Sequence, residues 1–300
     1  MSTLDMRESF VSTAVDLLEL DDAVAVVLAD ISESAFHLAA ARHPDRVINV
    51  GIREQLAINA AAGMALTGMR PIVHTIASFL VERSLEQIKL GFAHQGVGGV
   101  LVSAGASYDY SSSGRTHQAP ADVALMDTLP DSAVHVPGHP SEVDTLLRAA
   151  IVEDGLSYVR TSTTQNTHPM PVNGSGEMVV ARRGSRGTVL AVGPMLDPVL
   201  AATRGMDLTV LYAATVRPFG AGALVSTLTT PNVILVEPYL AGTSTRCVAE
   251  ALSHLAHRVL GLGVGRVELR HYGTPDEHAA AHGLDAAGIR RSITDFLGVA

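Results

Sequence analysis

With 300 residues, 47% of them hydrophobic and only 17% charged, the chain is too long for one ordinary core and too apolar to be disordered. A formal net charge of −9 with no run of Lys or Arg argues against a nucleic-acid or anionic-membrane surface, because binding phosphates needs clustered cations. The single cysteine, Cys247, excludes an intrachain disulfide and a cysteine-built zinc site.

Apolar runs such as 23–29 and 188–192 have the length of strands, far below the roughly 20 residues of a membrane span. No basic segment followed by an apolar one opens the chain. The expectation is a soluble cytoplasmic protein whose partner is a small molecule or another protein.

In chain order, an amphipathic helix over 6–20 precedes a continuously apolar strand over 23–29, the pattern of a strand buried on both faces of a parallel sheet. A polar loop, Asp30-Ile-Ser-Glu-Ser34, follows at the carboxyl end of that strand, where open α/β sheets bind ligands. A helix over 34–42 leads to the strand 47–51 and then to a small-residue helix over 52–67, expected to be central and buried. Strands are expected at 71–76 and 97–104 with a helix over 78–91 between them. Residues 105–118 are too rich in Ser and Gly for an element and form a polar loop. Helices over 119–128 and 141–153 and strands over 133–136 and 157–160 complete a first parallel α/β domain, residues 1–162.

Residues 163–187 change texture and are expected to be a linker. Alternation then resumes over 188–300: strands at 188–192, 208–213, 233–236 and 266–270, helices from 194, over 220–228 and 243–260, and a last helix from 285. This is a second, smaller α/β domain.

Phosphate-loop signatures are absent, and the glycine clusters 96–99 and 261–265 read as turns before strands. The thirteen histidines form no recognisable metal set. No Gly-x-Ser-x-Gly elbow supports a serine hydrolase. What stands out is Glu54, in the first turn of a helix entered directly from an apolar strand through Gly51. Alone it reads first as an acid that complements the helix dipole. A second polar site, Gly114-Arg-Thr-His-Gln118, lies two crossovers later.

Five ordered blocks give these sites a common context: residues 46–55 with Ala61-Ala-Gly-Met-Ala-Leu-Thr-Gly68; residues 78–87; residues 114–118 with Asp122; Val216-Arg-Pro-Phe219 with Glu237; and Gly273-Thr-Pro-Asp-Glu277. Together they resemble the pyrimidine-binding and C-terminal domains of the transketolase family, which uses thiamine diphosphate. The resemblance implies that Glu54 shares a proton with the aminopyrimidine ring and so controls removal of the thiazolium C2 proton. It further implies that Phe79 stacks on that ring, that Ile76 and Arg83 complete the cofactor-binding set, and that His117 acts on the substrate as donor or proton carrier. Substrate contacts are expected at Ser32, Ser113, Arg115, Gln118 and Arg160.

The family's upstream Gly-Asp-Gly motif, followed some thirty residues later by Asn, is not found here. The expectation is therefore a split enzyme. A separate N-terminal subunit holds the diphosphate and Mg2+ or another divalent metal, this chain supplies no metal ligand, and the assembly is an α2β2 heterotetramer. Where the family commonly places an acid, a histidine and an arginine, this chain has Ser113, Gly105 and Thr163. Loss of phosphate-directed groups points to a non-standard substrate. The reaction expected is transfer of a two-carbon ketol unit from a ketose-like donor to an aldehyde. The alternatives are decarboxylation of a 2-oxo acid with carboligation, as in deoxyxylulose-phosphate synthase or dehydrogenase beta subunits, and a non-catalytic partner that has kept the fold.

Overall fold

The computed structural model describes residues 4–298. Helix α1 (Met6–Leu20) starts in a capping box, in which the Asp5 carboxylate accepts from the Glu8 N–H and the Glu8 carboxylate accepts from the Asp5 N–H. The chain continues through β1 (Val24–Leu28), α2 (Glu33–Arg42), β2 (Val47–Asn49), α3 (Glu54–Leu66), β3 (Arg70–Ile76) and α4 (Leu85–Ile88). Next come β4 (Gly99–Ala104), α5 (Asp122–Met126), β5 (Ala133–His135), α6 (Pro140–Val152) and β6 (Leu156–Arg160). Then follow β7 (Val179–Arg182), β8 (Thr188–Val192), α7 (Leu196–Ala202), β9 (Thr209–Ala213), β10 (Thr215–Arg217) and α8 (Gly222–Thr227). The last elements are β11 (Asn232–Leu240), α9 (Thr245–Ala251), β12 (Arg258–Val264), α10 (Pro275–Ala281) and α11 (Ala286–Leu297).

The α/β architecture consists of two parallel-dominated sheets. The first runs β10-β5-β6-β4-β3-β1-β2 and is parallel except for β10, which pairs antiparallel with β5. The second runs β12-β11-β8-β9-β7, with β7 antiparallel at its edge. Helices cover both faces of the first sheet, and that is why β1 and β4 are buried along their whole length and carry apolar side chains without alternation. One face packs against α1, α2 and α6 through residues such as Phe10, Phe36 and Leu147. On the other face a single core runs from Ala57, Ile58 and Phe92 to Leu190 and Leu235 of the second sheet and Val248 of α9, so the two sheets share one apolar interior.

Several elements differ from the sequence expectation, each for a physical reason. Residues 179–182, within the stretch expected to be linker, add β7 to the second sheet by pairing with β9. Thr215 and Arg217 return to the first sheet as β10, a strand too short to show a pattern in sequence. The helix expected over 243–260 ends at Ala251, because Val259 and Leu260 pair with Val233 and Ile234. Such strand pairing overrides local propensity. The glycines read as a turn at 261–265 therefore lie within and just after β12. A Cβ on Gly263 would stand 2.6 Å from the Tyr239 carbonyl oxygen, and one on Gly261 2.8 Å from the Thr245 methyl, so close approach and not turning requires them. The strand expected at 266–270 is absent, and α10, which carries His278, precedes the last helix.

Helix α3 is buried on one side only. Ala57, Ile58, Ala61 and Ala62 face the core, whereas Ile52 just before it and Leu56 and Leu66 on it are 71%, 48% and 60% exposed. The helix expected over 78–91 is a continuous run in which π turns at Ser78–Glu82 and Lys89–Ala93 flank α4. A Cβ on Gly91 would come within 2.9 Å of the Ala62 Cβ, and this is where the run packs against α3.

Candidate active site at the carboxyl edge of the first sheet

The order β2-β1-β3-β4-β6-β5 reverses direction beside β1, since the chain moves outward to β2 and then crosses back to β3. Loops leaving neighbouring strands diverge at such a switch point and open a crevice. Asn49 holds it on one side: its Oδ1 accepts from the Asp30 N–H at 3.0 Å and the Gly51 N–H at 2.9 Å, joining the exits of β1 and β2. Gly51 has φ +71°, and nothing lies within 4 Å of where its Cβ would be, so the residue is needed for its backbone conformation and not for space. The turn delivers Glu54 as the first residue of α3.

Glu54 is 1% exposed. Its Oε2 accepts from Arg83 Nη1 at 2.7 Å. Arg83 follows the first π turn, which adds a residue to the helical repeat and redirects the side chains around it. Its guanidinium also lies over the Phe79 ring, 4.1 Å from the centroid. His117 meets the same ring edge-on, with centroids 5.0 Å apart and planes at 72°. Ser78 Oγ, donating to the Thr116 carbonyl at 2.8 Å, ties the π turn to the loop that carries His117. Glu54, Arg83, Phe79 and His117 thus form one continuous array drawn from the exits of β2, β3 and β4. Ile76 is half-buried at the end of β3.

The remaining candidates sit differently. Ser32 lies in the loop after β1 with φ +64°, and Asp30 beside it has φ +72°. Two non-glycine residues in the left-handed region at a switch point mark backbone held for a purpose. His74 Nδ1–H donates to the Val102 carbonyl at 2.9 Å, so Nε2 is the acceptor for the Ser32 hydroxyl at 3.0 Å. Complete burial pushes the His74 imidazole down to about 4 and keeps it neutral. Ser113 is exposed. Arg115 turns toward the second domain, with Nε 3.4 Å from Glu268 and Nη1 donating to the Gln118 carbonyl at 3.0 Å. Gln118 is 2% exposed, and its Nε2 is a buried donor without a protein partner.

Arg160 is the clearest departure. It is 1% exposed, and its Nε donates to Asp122 Oδ2 at 2.7 Å while Nη2 donates to Ser107 Oγ at 2.7 Å. Tyr158 donates its hydroxyl to the same carboxylate oxygen at 2.8 Å. The guanidinium expected to reach substrate is consumed by an internal ion pair.

In the second domain, Glu237 is fully buried with Oε1 accepting from the Ser244 N–H at 3.0 Å and Oε2 unpaired. Burial pushes its carboxyl up to about 7. Arg217 pairs with Asp127 and donates to Ser244 Oγ at 3.2 Å, which fastens the second domain to the first. Thr274 and Glu277 form the capping box of α10. Asn49 is no candidate from sequence, and Asp30 enters there only as the first residue of a polar loop. The available signals were an asparagine two residues before a glycine turn and an acid directly after a buried strand. Among the described residues, no group of three or more His, Cys, Asp or Glu side chains comes together to hold a metal ion, and no helix is long and apolar enough to cross a membrane.

Comparison with known proteins gives the family and the fold. The family model for the transketolase pyrimidine binding domain matches residues 2–167. An uncharacterized 33.6 kDa protein in the fasciation locus of Rhodococcoides fascians is 53% identical over 298 residues, covering 98% of this chain and 95% of that protein. A 1-deoxy-D-xylulose-5-phosphate synthase of Acidovorax sp. is 32% identical over 268 residues, which are 86% of this chain but 42% of that enzyme. The chain therefore spans less than half the length of that synthase. Among solved structures, a split gene transketolase described as an inactive beta4 tetramer superposes with a TM-score of 0.86 at 25% identity, covering 99% of both chains. A transketolase from Campylobacter jejuni shares the fold, with a TM-score of 0.78 at 17% identity over 98% of this chain and 47% of that one. On its pyrimidine-binding domain and on the likeness of the whole chain to a split-gene relative, this protein belongs to the transketolase family.

Proposed function

We propose that the chain is the C-terminal subunit of a two-component, thiamine-diphosphate-dependent transketolase that moves a two-carbon ketol unit from a ketose-like donor to an aldehyde acceptor. The observation that carries this reading is the Glu54–Arg83–Phe79 arrangement. Arg83 presents a planar, hydrogen-bond-donating cation that reaches the Glu54 carboxylate and lies on the Phe79 ring at the same time. A planar group with a ring N–H to donate fits the same two surfaces, and an aminopyrimidine that takes a proton at its ring nitrogen is such a group.

Thiamine diphosphate would supply a carbon nucleophile and an electron sink. The chain's own residues supply the rest. Glu54, fixed at the first position of α3, holds a proton at the edge of the bound ring. Phe79 and Ile76 fix the ring plane, and Arg83 swings from the aromatic face while remaining near enough to balance the carboxylate. His117, edge-on to Phe79, offers a donor to a substrate oxygen. Ser32, Ser113 and Gln118 are the further substrate contacts of this proposal, Gln118 through its unpaired amide nitrogen.

A separate diphosphate-binding subunit, carrying Mg2+ or a similar ion, would cover the array and the apolar strip formed by Ile52, Leu56 and Leu66. The near-complete mutual coverage with the split-gene relative supports this division, as does the inactivity of that relative as a beta4 assembly. An α2β2 heterotetramer would place the chain in the same compartment as its partner, the cytoplasm. The domain limits that go with this proposal are 1–162, a connecting segment over 163–187 that lends β7 to the second sheet, and 188–300.

A second reading, decarboxylation of a 2-oxo acid with carboligation, is favoured by the 32% identity to a 1-deoxy-D-xylulose-5-phosphate synthase. One assay of the reconstituted pair separates the two. Consumption of a ketose without CO2 supports ketol transfer, and consumption of pyruvate with release of CO2 supports the synthase-like reaction. Activity of this chain alone with thiamine diphosphate would defeat the two-component proposal.

A further inference from the structure

The loop over 105–118 leaves the first sheet, where Arg160 and Ser78 hold Ser107 and Thr116 and where Asp109 accepts from Ser162 and Thr163, and it is also anchored to the second sheet's side of the molecule. Ser107 Oγ donates to the Pro238 carbonyl at 2.5 Å, and Ser111 Oγ donates to the Gly273 carbonyl at 2.9 Å. Arg115 faces Glu268 at 3.4 Å. Between these anchors, Tyr108 stacks on His278 with centroids 4.2 Å apart and planes within 9°. His278 is backed in turn by His271, at 4.5 Å and 3°. The His282 tautomer is set by its surroundings: Nδ1 accepts from the Gly265 N–H at 3.1 Å, so Nε2–H donates to the Tyr108 hydroxyl at 3.1 Å.

Tyr108, His278 and His282 all line a cavity of about 310 Å³. The Tyr108 ring is half-buried and packs against the apolar core that includes Val264 and Leu284. The histidine stack and one hydrogen bond fix its orientation there. Nine residues further along the same loop is His117, against Phe79.

We propose that Tyr108, with His278 and His282, is a positioning device through which the second domain sets the conformation of the loop bearing Ser113 and His117. Its catalytic consequence rests on the ketol-transfer reading, and its structural part does not. Small displacements of a positioned group cost rate steeply, so loss of the stack and the hydrogen bond that hold Tyr108 misplaces His117 relative to Phe79. The step controlled by Glu54, on another strand exit, is left intact.

The test uses Tyr108→Ala, which removes the stack and the hydrogen bond, and Tyr108→Phe, which keeps the stack. Hydrogen–deuterium exchange on the full-length chain should be about tenfold faster at amides 109–118 in Tyr108→Ala, as expected for loss of one aromatic contact and one hydrogen bond. It should be less affected in Tyr108→Phe and unchanged at the core amides of β8, β9 and β11. In the reconstituted pair, KM for the aldehyde acceptor should rise in Tyr108→Ala and be mostly restored in Tyr108→Phe, while exchange of the cofactor's C2 proton keeps its wild-type rate. Unchanged loop exchange in Tyr108→Ala overturns the proposal, and so does a fall in C2 proton exchange as large as the change in acceptor KM. Should the wild-type pair show no ketol transfer, the proposed function falls, and the loop exchange still decides whether Tyr108 is the clamp.

Discussion

Glu54, just after β2, and Glu237, within β11, are both buried carboxylates, yet their surroundings are opposite. Glu54 meets a half-exposed Arg83 at a sheet edge whose neighbouring apolar residues face outward. Glu237 is fully buried, with one oxygen on a backbone N–H and the other unpaired. The contrast teaches that burial does not by itself make an acid functional. A carboxylate that must exchange a proton with a ligand needs an entrance and a partner that can move. A carboxylate sealed inside the second sheet's surroundings, as Glu237 is, has neither, and loss of solvation raises its proton affinity.

The strongest way to break this contrast is to neutralise each acid. Glu54→Gln should lower C2 proton exchange in the reconstituted pair by about 10²–10⁴-fold, the usual contribution of a positioned acid–base group, with the fold retained. Glu237→Gln should leave that exchange at the wild-type rate. Wild-type exchange in Glu54→Gln, measured by NMR of the cofactor, would remove Glu54 from the mechanism.

The next largest effect concerns Arg160. A buried pair stripped of one member leaves an uncompensated charge, so Arg160→Met should lower stability by about 3–5 kcal/mol. The Asp122→Asn/Arg160→Met double variant should recover part of that loss. Urea midpoints check both. A variant of ordinary stability with a raised substrate KM would return Arg160 to the substrate site.

Ionisation sharpens the comparison with opposite signs. Glu237 has a folded value near 7 against 4.5 for the free group. Its contribution is fully present below pH 4.5 and is lost as pH rises through 7, a swing of at most about 3 kcal/mol. His74 and His135 are each pushed by burial from 6.5 to about 4, so each destabilises as pH falls from 6.5 to 4, by a similar amount at most. Two histidines outweigh one acid, and melting temperature should fall on acidification from pH 6.5 to 4.5. Glu237→Gln should make that fall steeper and raise stability above pH 7. A flat melting profile in both proteins would show that these groups are hydrated in solution.

The parts of the molecule legible in sequence were those built from neighbours along the chain. An apolar strand, a glycine that must take positive φ and an acid opening a helix occupy eight consecutive residues, and Phe79 and Arg83 share one helical run. Arg160 and Asp122 are 38 residues apart and meet only because β6 and α5 bring them together, which no local pattern records. Arg115 was misread for the same reason, since Glu268 lies 153 positions away. The glycines of β12 misled in the other direction, because close backbone approach and turning use the same residue. The exposed face of α3 was hidden by its composition, as small and apolar residues suit burial in a core and in an interface alike.

The smallest effects test the two ends of α3. Gly51→Ala meets no steric neighbour, so its cost is that of placing an L-residue at φ +71°, roughly 1–2 kcal/mol. Asparagine at the same position should cost less, because its short polar side chain tolerates the left-handed region. Gly63, in the exposed interior of the helix with nothing within 4 Å of its Cβ position, should respond oppositely. There, alanine should stabilise the isolated chain by about 0.5–1 kcal/mol through helix propensity. If the partner subunit closes on this face, the same methyl lies in the interface, and Gly63→Ala should weaken assembly while strengthening the chain. Thermal melts of the chain set against titration of the pair by calorimetry separate the two effects. Stronger chain and unchanged assembly would place the partner on another surface and leave the entrance to Glu54 uncovered.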